Sequence, residues 1–227
     1  MLAALVPSAP SEAAAGDANP VREAALLTQS ELLSWWESRV PRTICNRSTW
    51  DDGVWTCLER VDYEFRGGDG SQTPKSLISL YYREGAREGI TADVAFIQGI
   101  LETAWFFFPD SGQVRPSDNN FAGMGAFDSG THQPFRFPDA RTGVRAQMQH
   151  LRLYADASTA LDGSNLGSPL AMDIDARYPD RWRTVRNMKD SSGNYRFAGR
   201  VTHWEDFGGG MWATDPAYSK KILDLYR

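Results

Sequence analysis

The chain has 227 residues and a mass of 25.3 kDa, room for one ordinary domain with an appendage or for two small ones. Hydrophobic residues make up 41% and aromatics 12%, which excludes wholesale disorder and supplies rings for both a core and an aromatic-lined groove. The net charge of -5, from 24 Lys+Arg against 29 Asp+Glu, argues against nucleic acid as a partner, because neutralising phosphates needs a basic field.

The opening run, MLAALVPSAPSEAAAG, holds an apolar stretch too short for a signal peptide or a membrane span, and it has no basic flank. No other run is long enough to span a bilayer. Two expectations follow: export without a standard signal, or a chain cut from a longer one. Residues 1–20, rich in Ala, Ser and Pro, read as a flexible tether. Residues 21–39, VREAALLTQSELLSWWESR, fit one or two helices, which Pro41 stops. Trp35 and Trp36 are adjacent and cannot both face one core, so one of them is expected to touch something else.

Residues 42–73 read as irregular, with Trp50, Trp55 and Tyr63 scattered among Asp and Gly. Cys45 and Cys57 lie here, twelve residues apart. A disulfide between them would contribute roughly 3 kcal/mol in the chain-entropy account. Two buried free thiols are the other reading. Two Cys and three His supply no metal-ligand spacing, and neither metal nor cofactor is expected. The breaker cluster GGDGSQTP at 67–74 marks a boundary between an N-terminal extension, 21–73, and a main domain, 74–227.

KSLISLYYREGAREG then reads as a helix, with Leu77, Leu80, Tyr81 and Glu84 at helical spacing. Thr91 is a plausible N-cap for the next helix, with Asp93 in its first turn. From Asp93 to Trp105, Val94, Ile97, Leu101, Ala104 and Trp105 recur at steps of three and four. Gln98, Glu102 and the side of Trp105 share the face beside that core stripe. A carboxyl pressed against aromatics at a core's edge resists ionisation, so Glu102 has the making of a general acid near neutrality. An exposed helix-surface glutamate is the competing reading.

NNFAGMGAFDSG follows at 119–130. Asn119, Asn120, Gly123 and Gly125 mark a tight turn that could present amides to a polar ligand or serve as a plain turn. THQPFRF fits a short strand. A helix resumes at Asp139, its N-cap, with Val144, Met148, Leu151 and Tyr154 along one side. RYPDRWRTVRNMK is a weaker helix with a solvated basic face. In ATDPAYSKKILDLYR, Asp215 fits an N-cap and Pro216 the first helical position, with Tyr218, Ile222 and Leu225 on one side. The order of elements is helix-rich, with at most a small β excursion and no strand–helix alternation for a parallel sheet.

ILETAW, NNFAGMG, FRFPDARTGVRAQMQHLRLYAD and MWATDPAYSKKIL occur here in that order. Over about residues 75–227 the chain resembles the glucosaminidase family of peptidoglycan hydrolases, glycoside hydrolase family 73. The resemblance implies a mainly α (α+β), lysozyme-like fold, with a helical lobe and a small β-lobe flanking a cleft. It implies cleavage of the β-1,4 bond after N-acetylglucosamine in bacterial wall glycan. Glu102 matches the family's acid, which protonates the leaving glycosidic oxygen. Asn119 and Asn120 match the block that shapes the base of the cleft, and Tyr218 matches an aromatic whose hydroxyl is expected near the sugar. Many members carry a second acid after the Asn-Asn block. Asp128, three residues past Gly125, is the candidate here, whereas Asp139 is engaged as a cap.

The β-lobe sequence is shorter than is usual in the family, which leaves the geometry between carboxyls open. A separation of about 5–5.5 Å would mean retention, about 6.5–9.5 Å inversion, and a substrate's own 2-acetamido oxygen offers a third route. Phe121, Phe127 and Trp212 are candidates for lining the cleft or for the core. His132 and His203 could touch substrate, and His150 reads as packed or surface. The N-terminal extension either binds wall or an assembly, or packs on the catalytic domain. The expected site of action is extracellular or wall-associated, or a phage virion, where the chain would be one module of a tail or lysin. Two other readings remain: a lytic transglycosylase on the same scaffold, and an idle glycan-binding module.

Overall fold

The computed structural model describes residues 19–68, 70–126, 134–156, 189–194 and 196–227. Among them are five α-helices and one two-stranded antiparallel sheet. The order is α1 (Gln29–Arg39), β1 (Thr43–Asp51), β2 (Val54–Asp62), α2 (Pro74–Glu88), α3 (Ala92–Thr103), α4 (Ala140–Ala155) and α5 (Tyr218–Tyr226). This is a mainly helical α+β, lysozyme-like architecture. No helix among the described residues is long and apolar enough to cross a membrane.

The helix starts are set locally. Thr28 and Glu31 close a capping box on α1, and Thr73 and Ser76 do the same on α2 with Pro74 inside the first turn. Asp139 caps α4, its Oδ1 accepting from Thr142 N at 2.7 Å. At Thr91 only the position is a cap. Its hydroxyl donates to Pro20 and Val21 carbonyls instead, so it ties the N-terminal segment to α3. Asp93 also looks outward from its helix, accepting from Leu26 N, Leu27 N and the Tyr226 hydroxyl. The last helix starts later than Asp215 and Pro216 suggest. Those residues form a turn, with Ala217 as N-cap and the Asp215 carboxylate accepting from Ala217 N and Lys221.

The β structure lies where an irregular segment is expected. β1 and β2 pair from Thr43↔Asp62 to Asp51↔Val54 around a turn at Asp52 and Gly53, both at positive φ as a type I′ hairpin turn requires. Most hairpin side chains are exposed, so no alternating apolar face announces the strands. Cys45 and Cys57 are bonded across the hairpin, with Cα atoms 5.8 Å apart. Asn46 anchors it, donating to Asp110 Oδ2 at 3.0 Å and accepting from Asp110 N at 3.2 Å. The strand expected in THQPFRF is absent from its described part, 134–137, which takes isolated backbone hydrogen bonds from Phe135 to Met124 and from Phe137 to Asp118.

One hydrophobic core joins Val21, Leu32 and Trp36 to α2, α3, α4 and α5. Trp36 packs against Phe65, Phe96, Trp105 and Phe106, with centroids 5.3 to 5.9 Å apart. Trp35 stacks on Trp105 at 5.9 Å, so both tryptophans find rings within the chain. Between α2 and α4 the packing is ionic as well as apolar. Glu84, at helical spacing with Leu77 and Tyr81, is fully buried and bound by Arg141 at 2.9 Å, and Glu88 by Arg152 at 3.2 Å. Buried carboxylates need such partners.

Candidate active site

Glu102 lies in the last turn of α3, which ends two residues before the Trp105 that the spacing predicts. The helix stops at Thr103, and Ala104, Trp105 and Phe106 adopt positive φ in succession (51°, 61° and 55°). Each such residue costs about 1–2 kcal/mol. The turn is held by its surroundings. Phe106, Phe107 and Phe108 are buried, Phe106 N donates to Thr103 Oγ1 at 2.9 Å, and the Tyr63 hydroxyl donates to Trp105 O at 2.8 Å. Non-glycine strain of this kind clusters at functional sites.

The reversal swings Trp105 away from Glu102 to the tryptophans of α1. The aromatic neighbours of the carboxyl come from the far end of the chain instead. Tyr218, at the start of α5, donates its hydroxyl to Glu102 Oε1, and the Trp212 side chain acts on the protonation of the carboxyl. The side chain is partly open to solvent, yet the carboxyl is crowded by protein. Burial pushes it up to about 7, against the pull of Tyr218 and Trp212.

Gly123 sits at φ 60°, and a Cβ built there would lie 2.8 Å from Glu102 Oε2. The Asn-Asn turn therefore does deliver a wall to the carboxyl, through a glycine. Asn119 and Asn120 themselves lie beneath that wall. They are 2% and 0% exposed. Asn120 donates to Met124 and Phe135 carbonyls and accepts from Met124 N at 3.0 Å, while Asn119 donates to Phe137 O at 3.2 Å. The Asn120 amide and the Asn119 side-chain nitrogen hold the turn. Phe121 is likewise core rather than cleft, fully buried against Phe106 and Phe108.

Tyr218 is 5% exposed and its hydroxyl is engaged by Glu102 and Gln98. Asp128, Phe127 and His132 lie outside the described residues, as do most of RYPDRWRTVRNMK and of residues 1–20. His150 packs edge-on to Trp212 at 4.9 Å, and burial pushes its imidazole down to about 3, so it is neutral. His203 is occupied by Thr202 Oγ1 at 3.0 Å beside Asp206. Among the described residues no three His, Cys, Asp or Glu side chains converge to hold a metal.

The family model Glucosaminidase, described as mannosyl-glycoprotein endo-β-N-acetylglucosaminidase, matches residues 78–227. The chain belongs to the glucosaminidase family. A search of the curated proteins and of the solved structures finds no match. As a glucosaminidase-family chain it is a glycoside hydrolase by class, and the stretch matched holds Glu102, Gly123, Trp212 and Tyr218 together. One residue behind the site, Gln147, escapes sequence reasoning. Gln98 was visible as a polar residue on the Glu102 face, but Gln147, on the buried side of α4, carries no local signal for its role.

Proposed function

We propose that this chain is a peptidoglycan hydrolase that cleaves the β-1,4 bond after N-acetylglucosamine, with Glu102 as its general acid. The observation that carries the reading is the Glu102 carboxyl itself, crowded enough to hold a proton to about pH 7. A general acid works best when its pKa lies near the working pH. With Oε1 engaged by Tyr218, the transferable proton rides on Oε2, on the Gly123 side. It passes to the glycosidic oxygen as the C–O bond breaks, and the leaving sugar departs as an alcohol. Water, activated by a second acid such as Asp128 or admitted after attack by the substrate's 2-acetamido oxygen, completes hydrolysis. The place of action that goes with this substrate is the bacterial wall, reached as a wall enzyme or as a module of a phage tail or lysin.

Mass spectrometry of fragments released from purified wall tests the proposal. Wild type should yield reducing N-acetylglucosamine ends, and Glu102→Gln should lose about 10²–10⁴-fold in rate. A fully active Glu102→Gln protein refutes the assignment of the acid. Ends of 1,6-anhydro-N-acetylmuramic acid would make the enzyme a lytic transglycosylase, and wall bound but never cleaved would make it a binding module.

A further inference from the structure

Behind the carboxyl runs a line of buried polar side chains that the reaction itself does not require. The Tyr81 hydroxyl donates to Gln147 Oε1 at 2.7 Å. Gln147 Nε2 donates to Gln98 Oε1 at 2.9 Å and to Ala95 O at 3.0 Å. Gln98 Nε2 donates to the Tyr218 oxygen at 3.0 Å, and Tyr218 donates to Glu102 Oε1. Tyr81, Gln98 and Gln147 are fully buried, and Tyr218 nearly so. Four helices contribute: α2, α4, α3 and α5.

Every donor in this line points the same way. An amide's oxygen and nitrogen are told apart by their partners, and one partner here is unambiguous, because a backbone carbonyl only accepts. Ala95 O therefore requires Gln147 to present its nitrogen. Turning that amide over would set its oxygen against both Ala95 O and Gln98 Oε1 and its nitrogen against the Tyr81 hydroxyl. With Gln147 fixed, Gln98 must accept with its oxygen and donate with its nitrogen. The Tyr218 oxygen then receives a hydrogen from Gln98, and its own hydrogen is left for Glu102. A carbonyl of α3 thus sets the direction of the whole line that ends on α3's own glutamate.

We propose that Tyr81, Gln147 and Gln98 are positioning residues, a one-way hydrogen-bond chain that acts through Tyr218 to fix the Glu102 carboxyl and leave Oε2 as the oxygen that carries the reactive proton. Aligned hydrogen bonds polarise one another, so the far donors strengthen the last one. Both phenols stay donors, since burial, and after it the nearby Glu102 charge, pushes each well above the ordinary tyrosine range. Gly99 keeps the far end open, because a Cβ there would lie 2.5 Å from the Tyr81 hydroxyl. The titratable groups facing the site are Tyr81 from α2 and Tyr218 from α5, with Tyr154 of α4 acting on Tyr218 and His150 of α4 against Trp212.

The kinetic side of this inference rests on Glu102 being the acid, and the test separates the two. The Glu102 carboxyl carbon is followed by ¹³C NMR across pH in wild type, Tyr218→Phe, Gln98→Met, Gln147→Met and Tyr81→Phe. The pH profile of kcat/KM is recorded alongside. Each substitution removes stabilisation of the carboxylate, so the Glu102 midpoint should rise. The rise should be about one pH unit for Tyr218→Phe, the value of a hydrogen bond to a charged group. It should shrink with distance to a few tenths for Tyr81→Phe. The alkaline limb of kcat/KM should rise in parallel, with KM little changed. Tyr81→Phe keeps the ring packed on Phe96 and so answers the question if the glutamine variants fail to fold. A midpoint that stays put, or falls, in Gln98→Met and Tyr81→Phe overturns the chain whatever the activity. An active Glu102→Gln protein with shifting midpoints overturns the proposed acid and leaves the chain standing.

Discussion

Gly123→Ala places a methyl group where the structure has room only for hydrogen. Two costs can be separated. The residue sits at φ 60°, and a left-handed alanine costs about 1–2 kcal/mol. With an unfolding entropy of about 2.1 cal/mol/K per residue over 227 residues, that lowers Tm by about 2–4 °C. The second cost falls on the site. The new Cβ would meet Glu102 Oε2 at 2.8 Å, whereas a comfortable C···O contact is about 3.3–3.6 Å. Oε2 must retreat by about half an ångström or more, while Oε1 is held by Tyr218. The carboxyl therefore rotates away from the bond it protonates, and kcat should drop about 10- to 100-fold, since misplacement by about 1 Å costs about 10²-fold. Gly70→Ala is the control. It has φ 84° and no atom within 4 Å of the built Cβ, so it pays the backbone cost alone. Release of soluble fragments from purified wall, with Tm by calorimetry, reads both effects. Wild-type kcat in Gly123→Ala, with a Tm shift equal to that of Gly70→Ala, would refute the claim that Gly123 sets the carboxyl's position.

Glu102 should also make stability depend on pH in an unusual sense. Its pKa is about 7 in the fold against an ordinary 4.5, so below 4.5 both states keep the proton and burial adds no charge penalty. As pH rises to 7 the unfolded chain ionises first, and stability on the order of 2–3 kcal/mol is lost. Glu102→Gln should match wild type near pH 4 and be several degrees more stable at pH 8. An equal Tm difference at both pH values would contradict the shift. Trp36→Ala should cost about 3–5 kcal/mol by urea denaturation, because the ring is 3% exposed and packs on Trp105 and Phe106. A loss under about 1 kcal/mol would mean that the N-terminal segment is not part of the core that supports the Glu102 turn.

Much of this protein was set by local chemistry. The capping residue Asp139, the spacing Val144, Met148, Leu151 and Tyr154, and the polar face of Gln98 and Glu102 each act within one or two helical turns, so linear order suffices to place them. The family membership is legible for the same reason, in four short blocks in a fixed order. Tertiary contact decided the rest. Nothing near ETAWFFFP announces four left-handed residues, at Ala104, Trp105, Phe106 and Phe108. They are tolerated because Phe106, Phe107 and Phe108 are buried and Tyr63 binds the turn from forty-two residues away. The hairpin carries no apolar alternation because its faces are mostly exposed. The asparagines read either as ligands or as a plain turn because an amide that binds sugar and one that binds its own backbone are the same residue in a sequence. Which it does depends on whether water can reach it, and Asn119 and Asn120 lie beneath the surface. The carboxyl's elevated pKa has the same origin: burial by the folded chain raises it, and Tyr218 and Trp212, more than a hundred residues downstream, pull the other way, and only the fold brings them to Glu102.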